Sequence, residues 1–184
     1  MRKTMIAAAL AVSGFIAGAA HADTFKVDPV HSSVIFKIRH LNVGNSVGRF
    51  NDLAGTIVTD DGKESIEASV AVDKVDTNNA KRDQHLKSED FFNAAQFPQI
   101  TFKSTGVKKS DDGWDVTGDL TLHGVTKSVT VNLKKLGEAD TMAKHRLGLE
   151  GTLTVKRSDY GMNKMLEAVG DDVTLYINIE AVRD

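Results

Sequence analysis

Arg82, Asp83 and His85 stand within four positions of one another, and Phe91, Phe92 and Phe97 follow closely. An arginine offers a planar fork of donors suited to phosphate, and the histidine adds another donor. The phenylalanines add apolar surface beside them. The stretch 77–104, TNNAKRDQHLKSEDFFNAAQFPQITFKS, therefore suits an amphiphile with a polar head and an apolar tail. The competing reading is structural: Arg82 or Lys81 pairs with an acid on a helix surface, and the histidine packs beneath the segment.

Other candidate chemistry is thin. His31, His40, His85, His123 and His145 lie on different segments, and no pair has HExxH or another ligand spacing. His31 and His123 read as polar residues at strand ends. His40 is more interesting, because it extends the apolar face of Phe36 and Ile38. Ser32, Ser33, Ser88 and Ser158 lack the GxSxG setting of an activated nucleophile. Arg157 and Asp159 read as a strand end and a turn. No pair of carboxylates is spaced for acid–base work, and there is no phosphate-loop or dinucleotide motif. With no cysteine, disulfides and thiolate chemistry are excluded. The residues imply neither a metal nor a cofactor.

Stepping outward, these residues must be held by β-structure. Period-2 alternation, which sends successive side chains to opposite faces, recurs along the chain. Val34, Phe36, Ile38 and His40 share one face of 31–40, and Ile66, Ala68, Val70 and Val72 one face of 65–73. Trp114, Val116, Gly118, Leu120 and Leu122 do so in 113–123. Leu147, Leu149, Gly151, Leu153 and Val155, and then Val173, Leu175, Ile177 and Ile179, complete the pattern. With 53–59, 98–107 and 129–133 this predicts eight antiparallel strands, plus a short one at 24–28. Turn signals fall at Asp60-Asp61-Gly62, Asp111-Asp112-Gly113, His123-Gly124 and Gly170-Asp171-Asp172. The alternation leaves both a closed barrel and a two-sheet sandwich open. Glycines within strands, at Gly118, Gly148 and Gly151, suggest unfilled interior space.

The one long break, about 77–95, is expected to be helical in part. Asn78 or Asn79 would cap the first turn, Arg82, His85 and Leu86 would share a face, and Ser88 would cap a second short helix. Residues 1–22 read as a cleaved signal peptide: Arg2 and Lys3, an apolar run Met5–Ala20, and Ala20-His21-Ala22 before Asp23. The apolar run is short of the roughly 20 residues that span a bilayer. Removing 22 of 184 residues leaves 162, enough for a single domain over 23–184. Removing Arg2 and Lys3 from 23 basic residues leaves 21 against 25 acidic ones. No basic patch suggests nucleic acid. The periplasm is the expected compartment, with secretion open.

Four ordered segments carry a resemblance: DPVHSSVIFKIRH at 28–40, the stretch 77–104, GDLTLHGVTKSVTV at 118–131 and KRSDYGMN at 156–163. Together they resemble the YceI-like family, from about Asp23 to the C-terminus. The resemblance implies an all-β, lipocalin-like eight-stranded antiparallel barrel that holds polyisoprenoid or other long-chain lipids. On that basis an apolar cavity is expected along Phe36, Ile38, Val70, Phe102, Leu120, Leu149 and Leu175. Arg82, His85 and His40 would converge at its mouth, with Phe91 and Phe92 in the cover. The expected function is a non-enzymatic carrier of a polyisoprenoid, an isoprenoid quinone or a fatty amide. A membrane-protein partner and a homodimer are both left open. The alternatives are a lipid-modifying enzyme using His85 or His40, and a stress-linked interaction domain with a filled core.

Overall fold

The alternating segments line up edge to edge, because each inward apolar side chain finds another on the neighbouring strand. The computed structural model describes residues 22–60 and 62–184; the expected leader lies outside them, apart from Ala22. β1 (Asp23–Val27) and β2 (Ser33–His40) run end to end as one stave. β3 (Gly44–Phe50) and β4 (Ala54–Thr59) return beside them, β3 against β2 and β4 against β1. β5 (Ser65–Ala71) and β6 (Val75–Asp76) form the third stave, broken by a 3-10 turn at Val72–Lys74. Five unbroken staves follow: β7 (Gln99–Lys109), β8 (Gly113–Leu122), β9 (Val125–Thr141), β10 (Lys144–Lys156) and β11 (Val169–Arg183). β11 pairs with β10 on one edge and with both β1 and β2 on the other. The result is a closed, antiparallel, eight-stave barrel. The short strand expected at 24–28 is the lower half of the first stave.

The three breaks lie at one level of the wall, and their backbone groups find partners. Ser32 Oγ donates to the Glu180 carbonyl and accepts from the Glu180 N–H. Asn51 N–H reaches Lys74 O, and Val72 N–H reaches Pro98 O. This is what buried backbone requires.

α1 (Ala80–Lys87) sits at the upper end, opposite the end where β1 begins and β11 stops. Asn79 caps it, accepting from the Arg82 N–H at 3.0 Å. The second helix expected from Ser88 does not form. Ser88 instead ends α1, its hydroxyl donating to His85 O at 2.7 Å, and turns fill 89–97. The turn expected at Gly170-Asp171-Asp172 is a bulge inside β11, where the register passes from Val169–His40 to Val173–Ile38.

The lower barrel is packed solid around Phe25, Ile57, Val116, Leu147 and Leu149, all at most 1% exposed. Of the strand glycines expected to open space, Gly118 and Gly151 face filled volume, a Cβ on Gly151 lying 2.7 Å from the Leu133 side chain, whereas the nearest atom to a Cβ on Gly148 is at 3.6 Å. A Cβ on Gly118 would lie 2.4 Å from the Phe102 ring, and one on Gly48 would lie 2.3 Å from the Phe36 ring. Gly118 and Gly48 thus leave room for a phenylalanine ring that a larger residue would displace.

Candidate functional site

Above the packed layer the inward side chains stop short of one another. They enclose an apolar cavity of about 210 Å³. Its wall includes Val34, Phe36 and Ile38 from β2, Val70 from β5, Phe102 from β7, Leu120 and Leu122 from β8, Leu153 and Val155 from β10, and Val173, Leu175 and Ile177 from β11. Phe102, Leu153, Leu175 and Ile177 pack against the core cluster but stay only half-buried. Among the described residues, Ser69, Thr101 and Arg157 are the only lining residues that are not apolar. Phe36, Phe50 and Phe92 form an aromatic chain along one side, with centroids 5.8 and 5.4 Å apart.

Phe36, Ile38, Val70, Phe91, Phe92, Phe102, Leu120 and Leu175 thus stand where the sequence placed them. Leu149 does not line the cavity. It points inward, but at the level filled by Phe25 and Ile57, where it is 0% exposed.

The expected polar mouth is built differently. Arg82 turns away from the cavity: its Nε donates to Thr77 Oγ1 at 2.8 Å and a terminal nitrogen to Thr77 O at 2.6 Å. Asp83 completes the clamp, accepting from the Thr77 N–H and hydroxyl at 2.9 and 2.5 Å. The pair fixes the chain where it leaves β6. His85 bonds Asp90 at 3.1 Å and meets the buried Phe91 ring edge-on at 5.0 Å. His40 is exposed at the end of β2, where the wall has ended. None of the three lines the cavity.

Leu86, Phe91, Phe92 and Met162 close the upper end. Asp90 joins the two halves of this cover, bonding His85 on one side and Lys164 on the other at 3.3 Å. Those two bonds, His85 first, hold the Asp90 carboxyl below its ordinary pKa. On the far side His123 Nδ1 meets Tyr160 O at 3.0 Å.

Arg157, which reads from the sequence as the end of a strand, lines the cavity. It is 3% exposed. Its guanidinium donates to the carbonyls of Gly170 at 2.9 Å, Met162 at 2.6 Å and Val169 at 2.7 Å. The β11 bulge frees the carbonyls near 169–170 from strand pairing, and the arginine supplies their donors. Burial pushes its pKa down, with Asp171 opposing; an arginine stays charged regardless. The signal was present: in β10 the odd positions 147 to 155 face inward, and 157 is the next odd position.

A closed antiparallel barrel with an apolar interior and a covered upper end defines a barrel of the lipocalin-like type. A family model for the YceI-like domain matches residues 25–181, and the chain belongs to the YceI-like family. It is 40% identical to a UPF0312 protein of Pseudomonas paraeruginosa, over 100% of this chain and 99% of that one. The Burkholderia cenocepacia BcnA structure superposes with a TM-score of 0.76 at 22% identity, covering 84% of this chain and 98% of that one. A polyisoprenoid binding domain from Saccharophagus degradans gives a TM-score of 0.70 at 19% identity, covering 87% and 98%.

Proposed function

We propose that this protein is an exported carrier that sequesters a long-chain amphiphile, such as a polyisoprenoid, an isoprenoid quinone or a fatty amide. The observation that carries the reading is the barrel cavity, lined among the described residues by apolar side chains at every position but three. Water in such a space has few polar partners, so an apolar tail replaces it favourably, by roughly 25 cal/mol per Å² of apolar surface buried. The Saccharophagus degradans neighbour, a polyisoprenoid binding domain, supports the same ligand class. The leader motif supports export to the periplasm.

The mechanism is sequestration without turnover. Ser32 and Ser158, both weighed as nucleophiles, are tied up structurally: Ser32 with Glu180, and Ser158 with Asp171. At about 210 Å³ the cavity is below the roughly 300–1,000 Å³ of ordinary ligand pockets, so a long tail needs the cover to part. The cover suits this. α1 buries no residue fully, and the Asp90–Lys164 link is exposed, which are marks of a segment with low local stability. Mass spectrometry of organic extracts from the purified protein tests the reading. A co-purifying long-chain lipid is expected. Repeatedly empty preparations that also fail to bind a prenyl alcohol or a long-chain amide would overturn it.

A further inference from the structure

The upper end of the barrel carries a second feature, separate from the cavity. Leu41, Val43, Met165 and Leu166 are 55%, 82%, 46% and 40% exposed. They lie on two turns, one joining β2 to β3 and the other leading into β11. The Leu41 N–H donates to Ala168 O at 2.7 Å, and His40 pairs with Val169, so the turns sit side by side. Both adjoin the cavity wall, which takes Ile38 from one segment and Met162 and Val169 from the other. Leu41 and Met165 hold φ of 49° and 57°. Bulky side chains rarely adopt this left-handed region, and these two gain little core packing there in return.

We propose that these two turns dock on a lipid bilayer and set the cavity mouth against the membrane for lipid exchange. The proposal rests on the carrier reading, since a cargo that resides in a membrane must be collected there. Three observations favour a bilayer as the occupant. The patch is continuous with the cavity lining. It comprises four apolar side chains, few against the roughly 20–30 residues a side of a stable dimer, whereas a shallow interfacial contact grows with whatever apolar area is buried. Arg39 and His40 flank it and suit phosphate headgroups, while Lys164 is already paired with Asp90 and Glu167 is the acid on the second turn.

Vesicle flotation tests this, using the chain from Asp23 onward, which contains every stave of the closed barrel. With vesicles of phosphatidylethanolamine and phosphatidylglycerol the unmodified chain is expected to float. Val43→Asp and Leu166→Asp should each cut the bound fraction at least tenfold. Met142→Asp is the control, because Met142 is 94% exposed at the opposite end and should change nothing. Transfer of a fluorescent prenyl lipid between vesicles should slow at least tenfold in the first two variants. Their uptake of a soluble short-chain prenyl alcohol should be unchanged. Absence of flotation, equal loss in Met142→Asp, or a vesicle-free dimer that Val43→Asp splits would each overturn bilayer docking, the last in favour of a second copy. Failure of the unmodified chain to take up the prenyl alcohol would strike the carrier reading instead, and flotation would still score the docking surface separately.

Discussion

Two leucines on the inner face of the same barrel should respond oppositely to enlargement. Leu149 is 0% exposed in the packed lower layer, whereas Leu175 is half-buried on the cavity wall. Tryptophan at 149 has no space to enter, and overpacking of this kind costs about 1–3 kcal/mol. For a chain of this size 1 kcal/mol moves the melting temperature by about 2–4 °C, so Leu149→Trp should melt about 2–12 °C lower. Tryptophan at 175 swings into open volume and should cost less than about 1 kcal/mol. It should instead weaken ligand binding. Displacing about 100 Å² of tail contact, at roughly 25 cal/mol per Å², removes about 2.5 kcal/mol, or about 70-fold in Kd. Calorimetric melts give the first quantity, and titration with a long-chain prenyl alcohol gives the second. Equal destabilisation by the two tryptophans would mean that the upper barrel is as full as the lower, and the cavity argument would fall with it.

Replacing Arg157 with leucine leaves the Met162, Val169 and Gly170 carbonyls without their donor. At about 1–3 kcal/mol for each unsatisfied group, stability should drop by at least about 3 kcal/mol, measured by denaturant unfolding; a change under 1 kcal/mol would show that the bulge does not need the arginine. Arg82→Ala should lower stability by about 1–3 kcal/mol through its two bonds to Thr77, and should alter the affinities for a prenyl phosphate and a prenyl alcohol equally. A selective loss for the phosphate in paired titrations would restore a headgroup role. Stability should also depend on pH. The pKa of His31 is raised by its bond to Asp28, and that of His145 by Glu138 and then Asp140. A raised value in the fold gives stability that is full below about 6.5 and is lost as pH rises through the folded value. The protein should therefore melt higher at pH 6 than at pH 8.5, and the His31→Gln/His145→Gln double variant should flatten that difference. In acid, Asp28, held down to about 2 chiefly by His31, keeps its contribution above 3.8 and loses it as pH falls through 2.

The wall of the barrel was legible because alternation is a local property. Each strand's apolar face is written in its own residues, and Phe36, Ile38, Leu120 and Leu175 follow from it directly. The depth of the cavity was not legible, because it depends on how bulk from different staves adds at one level. Leu149 and Leu153 share a strand face, yet Phe25 and Ile57 fill the space before one and not the other. Arg82 and His85 were placed at the correct end of the fold, but not their bonding partners within the protein. Their sequence neighbours do not reveal that Thr77 and Asp90 stand within bonding reach. Arg157 was missed for the converse reason: a charged residue at a strand end reads as solvent-facing unless the alternation is carried one step further.

The order of the staves has a consequence for how the protein acquires its shape. Every stave pairs with the one before it in sequence, except at the seam where β11 meets β1 and β2. That seam joins positions as far apart as Phe25 and Arg183. Until residues 169–183 are in place the meander is an open sheet with two free edges, and its apolar face has nothing to enclose. Closing so distant a pair of edges is the slow kind of step in folding. The last stave is thus the clasp of the container, and an amphiphile that meets the chain before that clasp fastens meets a surface instead of a cavity.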